Sequence, residues 1–176
     1  VALMALDAQV RVSSYQLSVV SEQWLPLAEI FNGPGKSAVD STREIISAIR
    51  FRPCGEHEAS AFARVMRPQG VALPILGMAV RVRRTTEDER RIADIAISAG
   101  PVAPIPFCAK RTEEFLRGKI FDADVLKQAA QILLQEASPR TSAHRATKEY
   151  RVALLPMLLE QTLGTAIERA QMTNDQ

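Results

Sequence analysis

The chain has 176 residues, 47% apolar and 24% charged, with 22 basic and 20 acidic side chains and a net charge of +2. That balance supplies a buried core for one domain, or for one domain plus a piece of another. It gives no bulk electrostatic reason to expect a nucleic-acid partner or a membrane surface. No apolar run approaches the ~20 residues of a spanning helix, and no basic-then-apolar leader opens the sequence, so the expectation is a soluble, cytoplasmic protein.

From Val1 the stretch VALMALDAQVRV begins as a short apolar helical piece and turns into a strand, with Val10 and Val12 alternating against Gln9, Arg11 and Ser13. It reads as an element already under way, as expected of a segment of something longer. A second strand is expected through Gln16 to Val20, then a short helical turn from Pro26 to Phe31. The stretch Asn32-Gly33-Pro34-Gly35-Lys36-Ser37 follows, and its last letters match the tail of a phosphate-binding loop. That motif needs a glycine where Ile30 stands, and Pro34 removes a backbone donor, so NGPGKS reads as a turn between two substructures.

Beyond the turn, Glu44 to Arg52 reads as a strand stopped by Pro53-Cys54-Gly55, and Ala61 to Arg67 as a strand ended by Pro68-Gln69-Gly70. In VALPILGMAVRVRR, Val80 and Val82 face one way and Arg81 and Arg83 the other. The run from Arg81 to Arg91 is interleaved with Glu87, Asp88 and Glu89, which offset much of its charge, and reads as a hairpin tip, with Ile92 to Ile97 returning as the partner strand. Three or four of these strands side by side form a meander.

From residue 110 the period becomes helical. Thr112 is the expected N-cap of EEFLR, with Gly118 as its end. Asp122 is expected to cap VLKQAAQILLQEA, with Phe121 and Leu126 at hydrophobic-staple spacing and Leu126, Ala130, Leu133 and Leu134 on its apolar face. A last helix is expected from near Ser142, with Tyr150, Leu154, Leu158 and Ile167 on its apolar stripe and Pro156 kinking or dividing it. Strands first and helices after predict an α+β fold, an antiparallel sheet packed on one face by helices.

Few residues carry chemistry. Cys54 and Cys108 are far apart, outside any C-x-x-C pair, and read as free thiols. His57 reads as a loop residue and His144 as exposed or capping; no nucleophile–base or metal constellation is visible. Asp122 and Asp124 look like a carboxylate pair but fit the front of a helix. Arg50, Arg52, Arg64 and Arg67 are expected on neighbouring strands, where they bind phosphate groups or keep an open sheet face solvated.

Three segments in order, Phe62 to Pro74 (FARVMRPQGVALP), Ile95 to Pro106 (IAISAGPVAPIP) and Arg145 to Arg151 (RATKEYR), resemble the C-terminal domain of the FAD-binding medium subunit of molybdenum hydroxylases. This is the family of xanthine dehydrogenase and aerobic carbon monoxide dehydrogenase flavoproteins. EEFLRGK and the order of elements from about residue 40 to 170 are similar to the family as well, and VALMALDAQVRV with LAEIFNGPGKSAV looks like the end of its FAD-binding domain. The resemblance implies a division at residues 38 and 39, with 1–38 as the remnant of the FAD-binding domain and 39–176 as the C-terminal domain. It implies FAD as cofactor of the complete subunit, held by glycine-rich loops that this sequence does not contain, so that the chain alone neither retains flavin nor catalyses. It also implies a role in electron transfer from iron–sulfur clusters to FAD, with a molybdopterin-containing large subunit and a 2Fe-2S small subunit as partners.

Arg64, two residues after Phe62, and Ile46 on the preceding strand match family positions near the flavin, with a surface cation and a core residue as their plain alternatives. Arg145, Tyr150 and Arg151 match a motif expected to serve packing and capping. The second functional reading is a docking or dimerisation module, including a homo-oligomer. An unrelated α+β enzyme ranks last for lack of a catalytic constellation.

Overall fold

A computed structural model describes residues 1–16, 19–67, 73–85 and 91–172. Helix α1 (Ala2–Ala5) leads into strands β1 (Gln9–Gln16) and β2 (Val19–Pro26), then a 3-10 turn at Leu27–Ile30. Strands β3 (Glu44–Arg50), β4 (Glu58–Met66), β5 (Pro74–Arg84), β6 (Ile92–Gly100) and the short β7 (Phe107–Cys108) follow, and helices α2 (Lys110–Leu116), α3 (Ala123–Glu136) and α4 (Lys148–Met172) end the chain. Leu17 and Ser18 of the expected second strand, the stop at Pro68-Gln69-Gly70 and residues 86–90 of the expected hairpin tip lie outside the described residues.

The strands form two antiparallel sheets, ordered β2-β1-β3 and β4-β5-β6-β7. The expected meander is therefore β4-β5-β6, and the strand from Glu44 is not part of it. It pairs instead with β1, placing Ile46 opposite Val12 and Ile49 opposite Val10, with a register shift between Arg11 and Val12. β3 follows the residue-38 division and β1 precedes it, so the three-stranded sheet draws on both sides.

On β5 the expected alternation holds. Leu76, Met78, Val80 and Val82 are buried in the core with Leu155, Leu158, Leu159 and Leu163 of α4. The opposite face of the same sheet is met by α1, where Arg81 Nε donates to the Ala5 carbonyl at 3.1 Å. Helices thus cover one face of the four-stranded sheet while a single helical turn lies on the other. Arg81 and Arg84, expected at an exposed tip, are strand residues and buried.

The helix ends separate local from tertiary causes. Asp122 caps α3 as expected, accepting from the Val125 N–H at 2.8 Å. Thr112 does not cap α2: it lies inside the helix, fully buried, and its hydroxyl donates to Glu136 Oε1 at 2.7 Å. Gly118 takes a left-handed φ of +73° after α2, the conformation for which glycine is suited. α4 starts at Lys148, later than expected, and continues through Pro156 as one helix of 25 residues. Tyr150 is 47% exposed and so leaves the apolar stripe, which Leu154, Leu158 and Ile167 do line.

Candidate functional site

The NGPGKS stretch is a closed turn. Gly33 and Gly35 have φ of +130° and +68°, values open to glycine at low cost. Two of its amides are bonded within it, Asn32 N–H to the Lys36 carbonyl at 3.0 Å and Lys36 N–H to the Gly33 carbonyl at 3.1 Å, and Ala38 N–H just beyond closes it on the Ile30 carbonyl at 2.9 Å. A diphosphate cradle requires such amides to converge outward on the anion, and these do not. The turn instead borders a cavity of about 400 Å³ shared with Pro104, Ile105 and Pro106.

The two residues expected near a flavin lie in different sheets. Arg64 on β4 is opposite Gly77 of β5 and points to the face away from the helices, beside Phe62, which is 51% exposed. A Cβ on Gly77 would stand 3.4 Å from Phe62 Cε2 and 3.6 Å from Arg64 Cβ, so the glycine lets the aromatic ring and the arginine lie low across the sheet. Arg64 forms no hydrogen bond or ion pair with another described residue. Ile46, 39% exposed, shares an open apolar strip with Ile49, which is 50% exposed.

The four arginines expected together are dispersed. Arg50 stacks on the Trp24 ring at 4.1 Å, Arg52 pairs with Glu58 at 2.7 Å, and Arg67 donates to the Arg145 carbonyl at 3.1 Å. They form no common phosphate site.

Sequence reasoning missed the ion network that joins the first segment to the second sheet. Glu58 is buried at the start of β4 and accepts from Arg81 Nη1, from Arg52 Nη2 and, at 3.0 Å, from the Gly55 N–H. Arg81 Nη2 also meets Asp7 at 2.8 Å and Asp94 at 3.3 Å. Asp7 reaches it from a left-handed turn, φ 50°, between α1 and β1. The alternation on β5 marks the face of Arg81 but carries no sign that α1 covers it.

Burial pushes the Glu58 carboxyl up, but the Gly55 N–H and the Arg81 and Arg52 guanidinium groups outweigh it and hold the pKa below the ordinary value. The folded chain then binds this proton less readily than the unfolded one. Glu58 therefore contributes stability that is complete above about pH 4.3, the ordinary glutamate value, and is lost as pH falls through the depressed folded value. Urea unfolding followed across acid pH is expected to show a shallower loss of stability in Glu58→Gln than in the wild type. An unchanged acid limb would remove Glu58 from the cause.

Cys54 and Cys108 are free thiols, and burial pushes the Cys108 thiol up, away from the nucleophilic thiolate. His57 sits in a turn at φ 57°, as a loop residue should, and His144 is exposed before α4. No cluster of His, Cys, Asp or Glu among the described residues could hold a metal ion, and no described helix is long and apolar enough to cross a membrane.

The architecture is an α+β domain, an antiparallel meander with C-terminal helices on one face, joined through an ion network to a smaller three-stranded sheet. Residues 60–166 match the family described as CO dehydrogenase flavoprotein C-terminal domain, and the chain belongs to that family. It is 25% identical over 149 residues to the xanthine dehydrogenase FAD-binding subunit of Escherichia coli O157:H7, covering 84% of this chain and 49% of that protein. It is 29% identical over 154 residues to aldehyde oxidase 1 of Oryctolagus cuniculus, covering 85% of this chain and 11% of the relative.

Among solved structures, carbon monoxide dehydrogenase from Hydrogenophaga pseudoflava superposes with a TM-score of 0.82 at 20% identity over 94% of this chain and 54% of that one. Quinoline 2-oxidoreductase from Pseudomonas putida 86 gives 0.75 at 19% identity over 96% and 55%. At such identities these two likenesses establish the fold. The chain spans about half the length of the Escherichia coli relative. The expected family and the expected fold class are both borne out.

Proposed function

We propose that the chain is the C-terminal part of the FAD-binding subunit of a molybdenum hydroxylase, a platform that completes the flavin site while the diphosphate is clasped elsewhere in the subunit. The observation that carries this reading is the family match over residues 60–166 together with likeness to a FAD-binding subunit about twice as long. The chain's own residues do not fit the diphosphate: in the one glycine-bearing turn with the right letters, Pro34 has no amide hydrogen and the Asn32 and Lys36 amides are bonded within the turn. In this reading residues 1–38 end the FAD-binding domain and 39–176 form the C-terminal domain. The subunit relays electrons from iron–sulfur clusters through FAD to an acceptor, beside a molybdopterin-containing large subunit and a 2Fe-2S small subunit, in the cytoplasm.

Arg64 and Ile46 face the cofactor in the complete subunit. Arg64 suits this by its exposure and its lack of a partner among the described residues, which leaves its charge available.

The purified chain is expected to be colourless, and one equivalent of bound flavin in its visible spectrum would refute the platform reading. In the complete subunit, Arg64→Gln is expected to shift the flavin midpoint potential while the urea unfolding curve stays unchanged. A potential identical to the wild type would return Arg64 to an ordinary surface cation.

A second reading, a docking or dimerisation module, is favoured by the open apolar strip of Ile46 and Ile49. Light scattering across a concentration series separates the two, since a docking strip predicts concentration-dependent mass.

A further inference from the structure

Arg151 on the first turn of α4 is buried without a carboxylate partner among the described residues. It is 2% exposed, its Nη1 donates to the Arg140 carbonyl at 2.8 Å, and its Nε–H is buried with no acceptor. Arg81, comparably buried, meets the three carboxylates Glu58, Asp7 and Asp94. Arg151 meets none among the described residues. A guanidinium does not escape burial by losing its proton, and an uncompensated buried ion costs several kcal/mol.

Its surroundings add to the charge. The loop before α4 is closed by a bridge between Ser142 and Ala146, with Arg145 N–H donating to the Ser142 carbonyl at 3.1 Å. Arg140 and Arg145 on this loop are both exposed. Burial, then Arg145 and Arg140, press the Arg151 pKa downward. Arg67 brings a fourth guanidinium to the same loop through the Arg145 carbonyl. The positive end of a 25-residue helix lies here too. Its first amides are capped, Lys148 N–H by Thr141 Oγ1 at 3.0 Å and Tyr150 N–H by Thr147 Oγ1 at 3.2 Å, so the charge rests on the guanidinium groups. Glu149, the acidic residue of the first turn, is exposed and forms no ion pair with them. Of the packing and capping expected of the RATKEYR segment, Thr147 caps the helix and Arg151 is packed inside, without a carboxylate partner among the described residues.

We propose that Arg140, Arg145 and Arg151, at the entry to α4, form a binding site for a phosphate group. The exposed guanidinium groups of Arg140 and Arg145 grip the oxyanion, and its charge balances the buried Arg151. Several guanidinium groups with no carboxylate between them match a dianion better than a single carboxylate.

Thermal unfolding of the chain in inorganic phosphate, against sodium chloride and sodium acetate at matched ionic strength, tests this. A saturable rise in Tm is expected in phosphate and not in chloride or acetate. Arg140→Gln and Arg145→Gln, both at exposed positions, are each expected to weaken the apparent phosphate affinity about tenfold, the size of one lost charge-assisted hydrogen bond. Arg151→Met is expected to lose the phosphate response; should that variant not fold, the two exposed variants decide. A rise of equal size in acetate, no phosphate-specific rise, or a rise that survives the Arg140→Gln/Arg145→Gln double variant (an adventitious ion only) would each overturn the site.

Discussion

Arg81→Met is expected to lower the free energy of unfolding by roughly 3–5 kcal/mol, the range for removing one partner of a buried ion pair. The cause lies in what stays behind. Glu58 is buried, and among the described residues its two cations are Arg81 and Arg52, the latter with a side chain that is 63% exposed. The same substitution releases Asp7 and the Ala5 carbonyl, and with them the attachment of α1 to the second sheet. Urea denaturation of Arg81→Met, Glu58→Gln and the double variant forms a cycle that isolates the coupling. If the stranded charge is the cause, the double variant recovers part of the loss, because the lone carboxylate is gone. Strictly additive losses would assign the effect to packing of the arginine stem instead.

That network also marks the boundary of what the sequence reveals. The alternation of Val80 and Val82 with Arg81 and Arg83 told the two faces of β5 apart, because side-chain direction along a strand is a local property. Whether the second face meets water depends on a helix some 75 positions earlier, for which no local signal exists. The pairing of β3 with β1 is of the same kind: each strand was legible alone, while the choice of neighbour was decided by long-range packing.

Helix caps divide along the same line. Asp122 was legible because it serves the amide three residues on, whereas Thr112 is claimed by Glu136 on another helix. For the candidate site, NGPGKS was read rightly as a turn from Pro34 and the missing glycine. Nothing local showed that Arg64 and Ile46 would belong to different sheets, or that Arg151 would be buried without a counter-charge among the described residues.

Two neighbouring positions on α4 should respond to alanine with opposite signs. Leu163 is fully buried among Leu159, Ala166 and the β5 core residues, so Leu163→Ala removes apolar contact and leaves a cavity that rigid neighbours fill only partly, a loss of about 2–5 kcal/mol. Gly164 lies one step round the helix, on a groove of about 500 Å³ that Phe121 and Leu126 also line, and a Cβ there would meet no atom within 4 Å. Its backbone is helical and its missing side chain relieves no clash, so Gly164→Ala is expected to raise stability by roughly 0.4–1 kcal/mol through reduced freedom of the unfolded chain. Equilibrium unfolding in urea with an unchanged m-value tests both. A destabilising Gly164→Ala would mean that the groove is narrower than described, and a Leu163→Ala costing under ~1 kcal/mol would mean that α4, carrying Pro156 within it, yields enough to close the cavity.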